Sequence, residues 1–316
     1  MVDDLTAQHL DRAAAIASEH AAALRSSSAV DVPARPGSAR HATTLGLTVS
    51  RVHGPTGLLD LRYVPSLSVV LRGRKRSIVG DDDQEWGRDR FIITPVDLPV
   101  VAGVIDTAGD AGFVSAVWKL DPVVVGEVVA SMSSSTHASP EPLPRLGTWT
   151  APLADAFARL LALLDAPEDI PVLFPLVSRE VVLRLLQTPQ APRITAALGG
   201  TGPTVVARAT ALLTGRMHEP WSMDRLAREL RVSESTLFAR FKDATGMTPA
   251  QYLKRSRLGE ARRRMVLHGD TAARAASAVG FRSASHFSRD YRRAYGRPPA
   301  ADAVAAREQL PLAPAV

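Results

Sequence analysis

Two short stretches fifty residues apart carry the side chains best suited to chemistry in this chain. S-E-S-T-L-F-A-R-F-K at Ser233–Lys242 returns as S-A-S-H-F-S-R-D-Y-R at Ser283–Arg292. Ser233/Ser283, Ser235/Ser285, Leu237/Phe287, Phe241/Tyr291, Gly246/Gly296 and Pro249/Pro299 all keep the offset of 50. On each copy two large apolar residues four apart make one buried helix face, and short hydroxyls and basic residues occupy the other. Such side chains offer recognition rather than bond-making. Hydroxyls and guanidinium groups hydrogen-bond to polar edges, and fixed cations hold phosphates.

Helices must position these groups. Trp221–Leu230 and Ser233–Lys242 are expected as two helices around a tight turn at Arg231-Val232, with Ser233 as N-cap and small Ala227 at the crossing. The second copy is expected at Thr271–Val279 and Ser283–Arg293. Its first helix aligns at an offset of 49, so the turn Gly280-Phe281-Arg282 gains one residue; Gly280 is expected left-handed and Phe281 inside the core. Pro249–Leu267 joins the copies as one amphipathic helix, a rod of roughly 27 Å at ~1.5 Å per residue. That length approaches the ~34 Å between successive major grooves on one side of a duplex.

Charge follows the same division. The chain of 316 residues is +6 overall, but from Thr201 onward it holds 20 basic against 10 acidic residues, leaving 18 against 22 elsewhere. A basic domain attached to a slightly acidic one implies a polyanionic partner for the C-terminal part, double-stranded DNA above all. The bland reading is a solvated arginine-rich surface. Cysteine is absent, which excludes disulfides and thiolate metal sites and suits a cytoplasmic location. No apolar run approaches the ~20 residues of a membrane span, and Asp3 and Asp4 are unlike a signal peptide, so no membrane partner is expected.

The other half has a different texture. Leu5–Leu24 reads as a helix and Ser26–Ser38 as a linker. Short β-rich runs follow at Leu47–Val52, Leu59–Tyr63, Ser68–Leu71, Arg76–Val79, Phe91–Thr94, Val100–Ile105 and Phe113–Trp118, with Gly80–Asp83 read as a turn. They predict an antiparallel β-barrel or sandwich, with Val70, Ile78, Ile92 and Val101 pointing inward. Arg72, Arg74, Lys75 and Arg76 either attract an anionic effector or form a solvated turn. Helices at Asp121–Met132, Pro152–Leu164 and Val172–Leu186 trail the strands. Their leucine stripes serve either the domain core or a homodimer seam, and Glu180 with Arg184 makes a surface ion pair or part of that contact. Thr188–Pro203 is the expected boundary between an N-terminal domain, 1–195, and a C-terminal one, 203–310. The fold class is therefore α+β: a β-barrel with flanking helices, then an all-α domain of two helix-turn-helix units joined by a long helix.

A-x-x-V-G-F-x-S-x-S-x-F-S-R at Ala276–Arg289, with Y-G-R-P-P at Tyr295–Pro299, resembles the second helix-turn-helix signature of the AraC/XylS family of bacterial transcription regulators. L-A-R-E-L-R-V-S-x-S-T-L, with T-G-M-T-P-A-Q-Y-L downstream, resembles the first. Y-V-P-S-L at Tyr63–Leu67, G-R-K-R at Gly73–Arg76 and V-D-L-P-V at Val96–Val100 are similar to the cupin-like effector domain of one branch of that family. The resemblance implies a regulator that binds specific DNA sequences and takes a small-molecule effector in the barrel, with RNA polymerase and a second copy of the chain as further partners. It places Ser235, Thr236, Phe238 and Ala239 of the first unit, and Ala284, Ser285, Ser288 and Arg289 of the second, in base-reading slots.

Phe238 and Ala239 depart from the polar or basic residues common there and offer only apolar contacts, or Phe238 is core. Arg289 can pair bidentately with guanine, worth about 1–3 kcal/mol of discrimination; its alternatives are a phosphate clamp or an ion pair with Asp290. Arg240, Lys242, Arg282, Arg292 and Arg293 are expected on phosphates. A non-specific architectural DNA binder is one competing reading. A cupin enzyme fused to a DNA-binding domain is the other, and the single His53 between Leu45 and Trp118 counts against its metal centre. No catalytic residue, cofactor or metal ligand is expected.

Overall fold

The computed structural model describes residues 2–24, 44–80, 82–132, 145–199 and 204–308. The expected linker at Ser26–Ser38 and residue Asp81 lie outside them. Helix α1 (Asp4–His20) is capped by Asp3, whose carboxylate accepts the Thr6 amide at 2.7 Å. Ten strands follow among the described residues: β1 (Ala22–Leu24), β2 (Leu47–Val52), β3 (Leu59–Tyr63), β4 (Ser66–Arg72), β5 (Arg74–Val79), β6 (Asp82–Gly87), β7 (Arg90–Thr94), β8 (Leu98–Asp106), β9 (Phe113–Lys119) and β10 (Leu146–Thr148). They form a six-stranded sheet in the order β1-β2-β9-β4-β7-β10 and a four-stranded sheet in the order β3-β8-β5-β6. Every pairing is antiparallel except β1 with β2. Val70, Trp86, Val104 and Phe113 pack together between strands of both sheets.

The turn expected at Gly80–Asp83 is shorter than the sequence implied, because β6 begins at Asp82. This acidic segment is an edge strand. It needs no alternating apolar residues and is held by its ladder to β5, by Arg76–Asp83 at 2.6 Å and by Arg74–Glu85 at 3.6 Å. Those arginines of the basic turn are thus already engaged. β10 is only three residues long, and Gly147 in it lies where a Cβ would fall 2.2 Å from the Phe91 ring. That close approach leaves no room for a side chain.

Helix α1 packs on β2, β4 and β9, and of the helices α2 (Pro122–Ser131), α3 (Ala151–Ala162) and α4 (Ile170–Leu186), α3 packs on α1 and α4 packs on α2 and α3. Leu153, Phe157, Leu160 and Leu161 of α3 are fully buried, so its stripe is core. Glu180 receives Arg159 at 2.7 Å and Arg184 at 3.7 Å. The Pro/Gly/Thr-rich stretch at Thr188–Pro203 is helical over Ala191–Leu198 (α5), which packs against α2, α4 and the first recognition helix described below.

Among the described residues the C-terminal half is all-helical: α6 (Val205–Gly215), α7 (Met223–Leu230), α8 (Glu234–Thr245), α9 (Pro249–Leu267), α10 (Ala272–Ala278), α11 (Ala284–Tyr295) and α12 (Pro299–Glu308). No helix among the described residues is long and apolar enough to cross a membrane. The apolar core continues without a break from the sheets and α3–α5 into α6–α8 and the start of α9, through Leu226, Leu237, Phe241, Met247 and Tyr252. Leu258, Ala261, Met265, Ala275, Ala276, Val279, Phe287, Tyr291 and Ala303 form a separate cluster.

Candidate nucleic-acid interface

Each recognition helix is built by the same local chemistry. Ser233 Oγ accepts the Thr236 amide at 3.2 Å, and Ser283 Oγ accepts the His286 amide at 3.3 Å. Both helices end on a left-handed glycine, Gly246 at φ 69° and Gly296 at φ 75°. Leu237 and Phe241 are buried beneath the first; Phe287 and Tyr291 are buried beneath the second, where Phe281 meets Phe287 edge-on with ring centres 5.1 Å apart. The tight turns also match. Val232 N–H donates to Ala227 O at 3.1 Å, and Phe281 N–H to Ala276 O at 3.0 Å. The extra residue of the second turn is therefore Arg282, which is exposed.

Arg231 holds the left-handed position of the first turn at φ 59° and Gly280 that of the second at φ 92°. Only glycine fits the latter, since a Cβ would lie 2.6 Å from His218 O.

At ~100° per residue, Ala239 and Arg289 stand diametrically opposite the midpoints of the buried pairs. Both are exposed. Ser235, Lys242 and Asp243 flank Ala239; Ser285, Arg292 and Arg293 flank Arg289, and all six are exposed. The first outward face is electrically balanced, while the second carries three arginines. Ser235 Oγ lies 3.0 Å from Ser233 Oγ and Ser285 Oγ 2.8 Å from Ser283 Oγ, so each outward hydroxyl is oriented by its cap. Phe238 is half-buried on the helix flank. Thr236 is half-buried and accepts from Ser233 Oγ at 2.8 Å. Ala284, Ser288 and Arg240 are exposed on the sides.

Several acids of this half engage scaffold arginines. Arg225 meets Glu219 at 2.6 Å, Arg228 meets Asp224 at 2.7 Å and Arg264 meets Asp270 at 2.8 Å. Asp290 takes Lys254 Nζ at 2.7 Å, not Arg289. Among the described residues, Arg240, Lys242, Arg282, Arg289, Arg292 and Arg293 have no ion pair, which leaves a band of available cations on the recognition side.

Sequence reasoning missed the residues that seat the first unit on the sheets. Arg145 is largely buried, bonds Asp82 at 3.0 Å and donates to Thr245 O at the end of α8. Burial lowers its pKa against the opposing pull of Asp82. Arg193 is pushed down to about 10 by burial and then by the Arg145 charge, with Asp82 opposing. Tyr252 OH donates to Asp97 O at 3.0 Å, and burial raises its pKa. Gly80, at φ 62°, brings the β5–β6 turn so close that a Cβ would lie 2.7 Å from Met247 Cγ. Since these partners are remote in sequence, no local spacing signals them.

A small cleft of about 20 Å³, water-sized as it stands, opens between the sheets, lined in part by Tyr63, Ser77, Val79, Ile92, Leu98 and Val100. Of the residues expected to point inward, Ile92 lines it. Val70 is buried in the cluster with Trp86 instead. Ile78 and Val101 take the opposite phase to Ser77, Val79 and Val100, because the pleat alternates.

The model of the AraC-type transcriptional regulator N-terminus matches residues 44–193, and that of a helix-turn-helix domain matches residues 226–302. The chain belongs to the AraC family. Its relatives include the HTH-type transcriptional activator RhaS of Pectobacterium carotovorum subsp. carotovorum (strain PC1), 43% identical over 76 residues, or 24% of this chain and 26% of the relative. A putative AraC-like transcription regulator of Streptomyces lividans is 38% identical over 102 residues, covering 32% of this chain and 34% of the relative. The chain thus spans about a quarter to a third of the length of these relatives. The solved DNA-binding domain of AdpA in complex with a target DNA is 30% identical, over 34% of this chain and 97% of that one, with a TM-score of 0.33. ToxT from Vibrio cholerae O395 is 12% identical over 84% of this AraC-family chain and 98% of its own, with a TM-score of 0.48.

Proposed function

We propose that the protein is a sequence-specific DNA-binding regulator of transcription, with residues 203–310 gripping DNA and residues 1–195 sensing an effector and supporting a homodimer. One observation carries this reading: in a chain of the AraC family, two equivalent recognition faces stand free, and unpaired cations border them. Arg289 reads a guanine edge from the centre of the second face, with Ser285, Ser288 and Ala284 beside it. Ser235, Thr236, Phe238 and Ala239 read the first half-site through hydroxyl and apolar contacts, thymine methyls among them. Arg240, Lys242, Arg282, Arg292 and Arg293 hold phosphates and set register.

The cleft between the sheets widens to receive a small molecule, and RNA polymerase is the partner through which a bound regulator acts. Catalysis is not part of the reading, and the protein acts where the chromosome is, in the cytoplasm. Binding titrations on a selected site and on random duplex test it. A regulator retains a preference of roughly 10³ or more for its own site, whereas an architectural binder shows comparable affinity for both. Arg289→Ala should relax preference at one base pair; a uniform loss across all sequence variants would contradict direct readout.

A further inference from the structure

β3 is an edge strand, and Asp60 lies at its second position with its side chain only 16% exposed. Three donors from the C-terminal half converge on that carboxylate. Arg255 Nη2 reaches Oδ1 at 2.6 Å, Tyr295 OH reaches the same oxygen at 2.8 Å, and Arg262 Nη1 reaches Oδ2 at 3.1 Å. Arg255 and Arg262 are seven residues apart on α9, so two helical turns bring both to one side. Their guanidinium carbons lie 5.0 and 5.1 Å from the centre of the Tyr295 ring. Arg262 continues to Asp302 of α12 at 2.7 Å, and Tyr291 OH donates to Asp302 at 2.8 Å. One carboxylate on the sheet therefore ties down the spacer helix, the end of the second recognition helix and, through Arg262, the last helix.

The apolar cluster of the second unit is separate from the main core, although half-buried Met217 borders both. A latch of this kind opens abruptly. Without Asp60, the two arginines and the phenol keep their donors in a largely buried space and lose their shared acceptor. The strand that carries it also borders the cavity. Tyr63 is a lining residue, and Leu61 and Tyr63 pair with Val100 and Leu98, which line it too.

We infer that Asp60 is the positioning residue that fixes the second helix-turn-helix unit in register with the first, and that β3 carries the state of the cavity to it. The structural half of this inference stands on the contacts alone; the consequence for DNA rests on the DNA-binding reading. Hydrogen–deuterium exchange on the full chain separates the two, because it needs no DNA. Asp60→Asn should speed exchange in α11, α12 and the second half of α9 by roughly tenfold or more, while α7 and α8 keep their protection. Unchanged exchange, or a loss shared equally by α7 and α8, would overturn the latch. Val100→Ala enlarges the cavity without touching Asp60 and should produce the same pattern at smaller amplitude; an unaltered α11 would overturn the link from cavity to latch. On a duplex holding both half-sites, Asp60→Asn should weaken binding at least tenfold, since the second contact loses its high effective concentration, while affinity for the second half-site alone stays the same. Unchanged or tighter binding to the full duplex would overturn the positioning role. Failure of wild-type protein to prefer its site would overturn the DNA reading and leave the exchange result standing.

Discussion

The two helix-turn-helix units share a backbone design and differ in how they are attached. The first is continuous with the main apolar core: Leu226, Leu237, Phe241 and Met247 belong to the same buried cluster as the sheet residues Val69 and Ile93. The second has its own cluster around Phe287 and Tyr291 and reaches the sheets through the polar network at Asp60. Their outward faces differ in the opposite sense. Asp243 offsets Lys242 beside Ala239, whereas Arg292 and Arg293 reinforce Arg289. Apolar attachment is non-directional and insensitive to small shifts, while a charged network demands particular distances. The unit with the weaker electrostatic grip is thus held firmly, and the unit with the stronger grip is held by a contact that can open.

Removing the buried aromatic of each unit tests this contrast with the largest effect. Phe241→Ala and Phe287→Ala should each cost about 3–5 kcal/mol. The first should lower the stability of the sheets as well, because its cavity opens in their core; the second should confine its damage to residues after Leu258. Denaturant unfolding followed by exchange maps checks this, and identical maps for the two variants would erase the distinction.

A smaller effect is expected at the centres of the outward faces. Arg289→Ala should lose about 1–3 kcal/mol of discrimination at one base pair. Ala239→Arg places a guanidinium at the equivalent slot and should create a new guanine preference in the other half-site. Selection from randomised duplexes reads both outcomes, and an unchanged preference for Ala239→Arg would mean that the first helix docks differently from the second.

The smallest changes concern salt. Arg293→Ala should reduce the slope of log affinity against log salt by about 1. Asp243→Ala, at the matching position, should tighten binding by less than about 1 kcal/mol at low salt. Slopes that respond equally at both faces would remove the electrostatic asymmetry.

Much of the recognition apparatus was legible because its signals are local. A capping serine and an apolar pair four residues apart located both recognition helices, although these run on to Thr245 and Tyr295, past the expected ends at Lys242 and Arg293, and α9 runs from Pro249 to Leu267 as the pattern predicts. Strand phase was not legible in β8, since Val100 packs inward while half-buried Val101 lies on the face opposite the cavity, where α9 contacts the strand. Apolar residues on both faces leave no alternation to read. β6 was hidden by its acids, and β10 by its length. Asp60 had no signal at all. Its partners lie 195, 202 and 235 residues away, and L-D-L-R-Y reads as an ordinary half-exposed strand.

Cleavage of a bound duplex by hydroxyl radicals, resolved to single nucleotides, addresses most directly whether the duplicated faces enter neighbouring grooves. Two protected patches on one side of the helix, about 10 base pairs apart, with Arg289→Ala weakening only one of them, are the expected result. A single patch, or even protection along the whole duplex, would contradict it.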